Sequence, residues 1–181
     1  MATKQNQPEW LIVPEVSATT DVRPDSDHDY DLLNLRINEA LYYSERRFGI
    51  NLSWTDPSNS NNVRFALQGG GAGPIAYGSM VAINIRRGGW LIYKQRSLGI
   101  NLGWSDSPVY EWRIDPAAGA SGAIALPAAV GLWNQVAKDW VMYGVRDFGI
   151  NLRWSADRDA VTLGGTLDYA KAAKGIWDKI F

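Results

Sequence analysis

The stretch Phe48-Gly-Ile-Asn-Leu-Ser-Trp54 returns as Leu98-Gly-Ile-Asn-Leu-Gly-Trp104 and as Phe148-Gly-Ile-Asn-Leu-Arg-Trp154, at a spacing of 50 residues. In each copy the isoleucine, leucine and tryptophan are two residues apart, so they point to one face of an extended strand. Three identical apolar triplets predict three equivalent strands with this face in the core. The period of two excludes a helical repeat.

The repeat extends upstream of this block. Residues 31–55, 81–105 and 131–155 align without gaps, and eight of the 25 columns are identical in all three copies. The identical columns outside the block are Asn34/Asn84/Asn134, Tyr43/Tyr93/Tyr143 and Arg46/Arg96/Arg146. Further strand patterns follow at 63–67, 110–114 and 160–163, and glycine-rich connectors separate the units. Each unit therefore predicts about four short strands.

Three four-stranded units favour a structure that closes on itself, because open sheet edges invite aggregation. On this repeat number, unit length and strand pattern, residues Tyr30 to Leu167 resemble the β-trefoil superfamily; a β-prism is the second choice. The resemblance implies an all-β fold with pseudo-threefold symmetry over residues 30–167, in units 30–74, 75–127 and 128–167. The Gln-x-Trp motif of ricin-B-type lectins is absent.

Two segments match no unit. Residues 1–29 contain Pro8, Pro14 and Pro24, and we interpret them as an extended N-terminal segment, either a tail or a strap over the barrel. Residues 168–181 predict a short helical tail with an apolar stripe. This tail either docks on the protein's own surface or binds a protein partner or a membrane surface.

The composition of the chain argues against several classes of function. The chain has 18 Lys+Arg and 19 Asp+Glu, which argues against a nucleic-acid partner. It has no cysteine and one histidine, His28, so we predict no enzyme activity, no metal site and no cofactor. The acidic run Asp25–Asp31 departs from the EF-hand pattern and is interpreted as a solvated linker.

The candidate carbohydrate-binding residues come from the repeat columns. Asn51, Asn101 and Asn151 lie opposite the core face, where an amide suits either sugar hydroxyls or a turn backbone. Arg46, Arg96 and Arg146 suit either loop carbonyls or an anionic ligand. Trp90 and Trp140 occupy a column where the first copy has Ala40, so an exposed aromatic platform is predicted in only two units.

The resemblance implies a lectin-like protein that binds cell-surface glycans at up to three weak sites. One alternative is a protein-binding β-trefoil, an inhibitor or the recognition component of a toxin, with the C-terminal tail in its interface. A membrane-acting toxin is the third hypothesis. Because no signal peptide is visible, we expect cytoplasmic synthesis and, for an extracellular role, release by a non-classical route.

Overall fold

The described part of the chain is built mainly of short antiparallel strands. The computed structural model describes residues 4–15, 18–24, 27–57, 62–117, 119–157 and 168–181. Its elements are β1 (Trp10–Pro14), β2 (Tyr30–Asn34), β3 (Glu39–Tyr42), β4 (Ser53–Thr55), β5 (Val63–Leu67), β6 (Met80–Ile85), β7 (Gly89–Tyr93), β8 (Leu102–Ser105), β9 (Trp112–Pro116), β10 (Ala129–Asn134), β11 (Asp139–Tyr143), β12 (Leu152–Trp154), a 3-10 turn (Ser155–Asp157) and α1 (Tyr169–Ile180). The expected all-β character is confirmed, with one C-terminal helix.

Six of these strands form a closed ring. Each strand in the order β1, β2, β5, β6, β9, β10 pairs antiparallel with the next, and β10 pairs back to β1. Hairpins β3–β4, β7–β8 and β11–β12 extend from β2, β6 and β10. Closure leaves the ring itself without a free sheet edge.

The inside of the ring is an apolar core to which every ring strand contributes. Adjacent strands place side chains opposite each other in the pairs Ile12–Leu32, Phe65–Ile83 and Ile114–Leu132, and all six are at most 2% exposed. The repeated isoleucine and leucine of the hairpins join the same core, and the repeated tryptophans pack against it or lie within it. The predicted core face is therefore correct.

The N-terminal segment differs from the tail or strap inferred above, because β1 is one of the ring strands. It lies between β10 and β2, and all five of its residues are buried. The sequence carries a signal for this position: Glu9-Trp-Leu-Ile-Val-Pro14 matches Glu111-Trp-Arg-Ile-Asp-Pro116, which includes β9. β1 thus pairs with β10 in the same way that β9 pairs with β6. The strand predicted at 160–163 lies outside the described residues.

Helix α1 docks on the outside of the ring, as the first of the two interpretations of residues 168–181 predicted. Ala173 and Ile176 are buried in a second apolar cluster with side chains of β1, β2 and β10 and with Leu35. The Tyr169 hydroxyl accepts a 2.7 Å hydrogen bond from Arg36 Nη2 and donates one of 2.8 Å to Gln7 Oε1. The helix therefore covers one side of the barrel.

The three repeated glycines meet where the hairpin loops converge. Gly49, Gly99 and Gly149 all have φ between 78° and 82°. A Cβ on Gly99 would lie 3.1 Å from the Cα of Gly49, and a Cβ on Gly49 would lie 3.2 Å from the Cα of Gly149. Both the positive φ and the contact between backbones require glycine here.

Comparing Gly99→Ala with Gly69→Ala separates the effect of the positive φ from the effect of the contact between backbones. Gly69 has a φ of 86° but no atom within 4 Å of an added Cβ. We expect Gly69→Ala to cost about 1 kcal/mol from backbone strain alone. Gly99→Ala should cost about 2 kcal/mol more, because three backbones must separate. Urea unfolding of both variants measures the difference, and equal losses would contradict the contact.

Candidate functional site

The repeated asparagines hold the hairpin loops together. Oδ1 of Asn51 accepts a 2.8 Å hydrogen bond from the backbone N–H of Arg46, and its Nδ2 donates to the Tyr43 hydroxyl at 3.4 Å. The same pair of bonds recurs at Asn101, and the Oδ1 bond recurs at Asn151 with a length of 2.9 Å. These contacts use the amide locally, which favours the structural alternative for this column.

The repeated arginines complete the same loop. Nε of Arg46, Arg96 and Arg146 donates to the carbonyl of Leu52, Leu102 and Leu152 at 2.7, 2.6 and 2.6 Å. Each guanidinium thus ties the start of its loop to the strand that leaves it. Burial, followed by the charge of Arg153, lowers the pKa of Arg146. The carbohydrate-binding assignment of these six residues stays a prediction, and their geometry favours a role in loop structure.

Replacing Asn101 by alanine tests the structural role. The change leaves the N–H of Arg96 without its acceptor, so we expect a loss of about 1–3 kcal/mol of unfolding free energy. Gln95→Ala, an exposed neighbour in the same loop, should change stability by less than about 0.5 kcal/mol. Urea unfolding measures both variants. An unchanged stability for Asn101→Ala, together with lost glycan binding, would return this residue to the binding site.

Trp140 belongs to a polar and aromatic cluster on the outer face of the sheet. Trp133 on β10 lies opposite Arg113 on β9 and opposite Trp140 on β11. The Arg113 guanidinium is 4.1 Å from the centroid of the Trp133 ring, and it forms a bidentate ion pair with Asp115. Nε1 of Trp140 donates to Oδ2 of Asp115 at 2.8 Å. We call these four residues the Trp140 row.

The geometry of the Trp140 row is fixed by its own contacts. Both tryptophans are half-buried, and the Arg113 side chain remains 30% exposed. Asp115 holds the Arg113 fork and the Trp140 indole at the same time, so both side chains keep a single orientation. The row therefore presents two aromatic rings beside a fixed cation and carboxylate. This combination suits a ligand with an apolar face and a hydroxyl edge.

A related row crosses the second unit. Trp90 on β7 lies opposite Asn84 on β6 and Ser105 on β8, and Asn84 lies opposite Arg64 on β5. Arg64 forms an ion pair with Asp29, so this row also begins with an arginine held by an aspartate. That hydrogen bond, and then the charge of Asp29, raise the pKa of Arg64. The residues Arg64, Asn84, Trp90 and Ser105 form the Trp90 row.

The equivalent row of the first unit is apolar. It consists of Leu11 on β1, Leu33 on β2 and Ala40 on β3. All three are at most 1% exposed, and Leu11 and Leu33 pack in the cluster that includes α1. The first unit therefore has no exposed aromatic side chain at the position of Ala40. This agrees with the prediction of an aromatic platform in only two units.

The predicted site residues thus fall into two groups. The asparagines and arginines lie in the hairpin loops, whereas Trp90 and Trp140 lie on strands. Within the described residues, no hydrogen bond or ring contact joins the two groups. The sequence analysis missed Trp133, Arg113 and Asp115. The available signal was the strand pattern at 110–114, whose Arg113 alternates with the core residues Trp112 and Ile114.

Searches of family models, curated proteins and solved structures find no match to this chain. Among the described residues, no helix has the length and apolar character needed to cross a membrane.

Proposed function

We propose that the chain is a lectin-like, carbohydrate-binding β-trefoil with two unequal sites, the Trp140 row and the Trp90 row. The fold proposal is supported by the six-stranded ring, its three hairpins and the approach of three equivalent glycines. These features agree with a barrel and a cap arranged about a pseudo-threefold axis. The third site expected from the repeat is replaced by the docking surface of α1.

The observation that carries the functional proposal is the fixed orientation of Trp140. Its indole N–H is bonded to Asp115, while the ring stays half-exposed beside Trp133. A sugar stacks its C–H face on such a ring, and its hydroxyls bond to the polar groups at the edge. Arg113 has Nε and Nη2 on Asp115, and its side chain is 30% exposed, so its remaining donors are available to a ligand oxygen.

The Trp90 row provides a weaker site of the same kind. It has one tryptophan, and an asparagine takes the position of Trp133. Because this row has one aromatic side chain fewer, we expect it to bind a single sugar with lower affinity. Two sites on one rigid body raise the avidity for a surface that displays many copies of the glycan.

A glycan array followed by calorimetry tests this proposal. We expect the wild type to bind one sugar class with two sites per chain. Trp140→Ala should weaken binding at the Trp140 row and Trp90→Ala at the Trp90 row, because each change removes one tryptophan from its row. Losing one platform should weaken binding at its site by about tenfold or more, comparable with about 1.5 kcal/mol of lost aromatic contact.

The matched control is Trp177→Ala, which removes another half-buried tryptophan from α1, outside both rows. Its sugar binding should equal that of the wild type. Melting curves verify that each variant is folded. A folded wild type that binds nothing on a broad array would exclude the proposal and leave a protein partner of the tail as the leading function.

A further inference from the structure

The point where the three hairpin loops meet carries an exposed apolar tip. The residue before each repeated glycine is large and apolar, and the structure leaves Phe48 41%, Leu98 39% and Phe148 46% exposed. The Phe48 and Phe148 rings touch edge to face, with centroids 5.4 Å apart. The backbone carbonyl of Leu98 is 3.8 Å from the Cβ position of Gly49, so the backbone of the second loop lies beside that of the first. We call these three residues the loop tip.

The fold does not need these side chains. Glycine, asparagine and arginine hold each loop, and the following isoleucine and leucine fill the core. A polar residue would satisfy the same backbone and avoid exposing apolar surface. All three copies nevertheless keep a bulky apolar side chain. Three such side chains in one place, rather than scattered singly, mark an interaction surface.

The hairpin segments that carry the loop tip have an excess of positive charge. The hairpin segments 43–55, 93–105 and 143–155 contain six Lys+Arg and two Asp+Glu, a net charge of +4, whereas the whole chain has −1. Arg47 and Lys94 are exposed, and the Arg47 guanidinium lies 5.3 Å from the centroid of the Phe48 ring. The remainder of the chain therefore carries a net negative charge, and the loop tip places apolar groups beside cations.

We propose that the loop tip docks on an anionic lipid bilayer. The three apolar side chains enter the boundary between headgroups and acyl chains, and the surrounding cations pair with lipid phosphates and carboxylates. The charge complementarity selects this occupant, because an apolar protein surface gives the cations nothing to neutralise. The acidic remainder of the chain is repelled by the same lipids, which orients the barrel with its hairpins toward the bilayer. This peripheral docking is separate from sugar binding by the two tryptophan rows.

Sedimentation with vesicles tests the inference. The probes are phosphatidylcholine vesicles and vesicles with about a third phosphatidylserine, both free of glycolipid, so the result does not depend on carbohydrate binding. We expect the wild type to bind the anionic vesicles and to bind the neutral ones at least about tenfold more weakly. About 0.5 M salt should release most of the protein, because it screens the cations.

The variant F48S/L98S/F148S should weaken binding to anionic vesicles by about a hundredfold, since three large apolar groups no longer leave water. The control is Val136→Ser, which removes a still more exposed apolar residue from a different turn and should leave binding unchanged. R47Q/K94Q, which changes only exposed side chains, should lower binding about fivefold for each charge removed. This second variant keeps the test valid if the triple variant unfolds.

Several outcomes would overturn the inference: no wild-type binding to anionic vesicles, unchanged binding by folded F48S/L98S/F148S, or unchanged binding by R47Q/K94Q. Sedimentation equilibrium without lipid provides a further outcome that would overturn the inference. A wild-type oligomer that F48S/L98S/F148S converts to a monomer would assign the loop tip to a second copy of the chain instead.

Discussion

The rest of the structure depends on the contact between three glycine backbones. Gly49, Gly99 and Gly149 approach so closely that a Cβ on any of them would lie within 3.6 Å of a neighbouring glycine Cα. This contact fixes where the three hairpin loops converge, and each loop must then be rigid. The asparagine and arginine bonds supply that rigidity, because they join both ends of a loop. This one junction therefore explains the identical glycine, asparagine and arginine columns of the hairpin loops.

Aromatic contacts also connect each of the three units to another unit. Tyr43 packs on Trp104, Tyr93 on Trp154 and Tyr143 on Trp54, with centroids 6.0 to 6.2 Å apart. Each repeated tyrosine thus touches the tryptophan of a different unit, so the three units stabilise one another in a cycle. The buried indole N–H groups of these tryptophans have no hydrogen-bond acceptor in the described residues. Their environment is built for packing, which agrees with their place at the core.

Strands that recur in order within each unit could be predicted from the sequence. A strand that is separated along the chain from the rest of its unit could not. Strand β5 was expected at 63–67 and occurs there, because a two-residue alternation is sufficient to recognise it. β1 was overlooked, since its counterpart β9 follows its hairpin while β1 comes at the opposite end of the chain. The three asparagines of the Asn34/Asn84/Asn134 column do not occupy equivalent positions in the structure. Asn34 and Asn134 are buried and donate to Glu9 and Glu111, whereas Asn84 is half-buried and opposite Trp90.

The same reasoning explains why the candidate sites were only half found. Trp90 and Trp140 stood out because they differ from Ala40 in one aligned column. Arg113, Asp115 and Arg64 come from strands outside the alignment, and pairing across strands is a property of the fold rather than of local sequence. The three outer faces consequently diverge while the core stays symmetric. The face under α1 is apolar, because a docked helix needs leucine where the other two faces have arginine paired with tryptophan or with asparagine. The helix thus stabilises one face of the barrel by covering its apolar side chains.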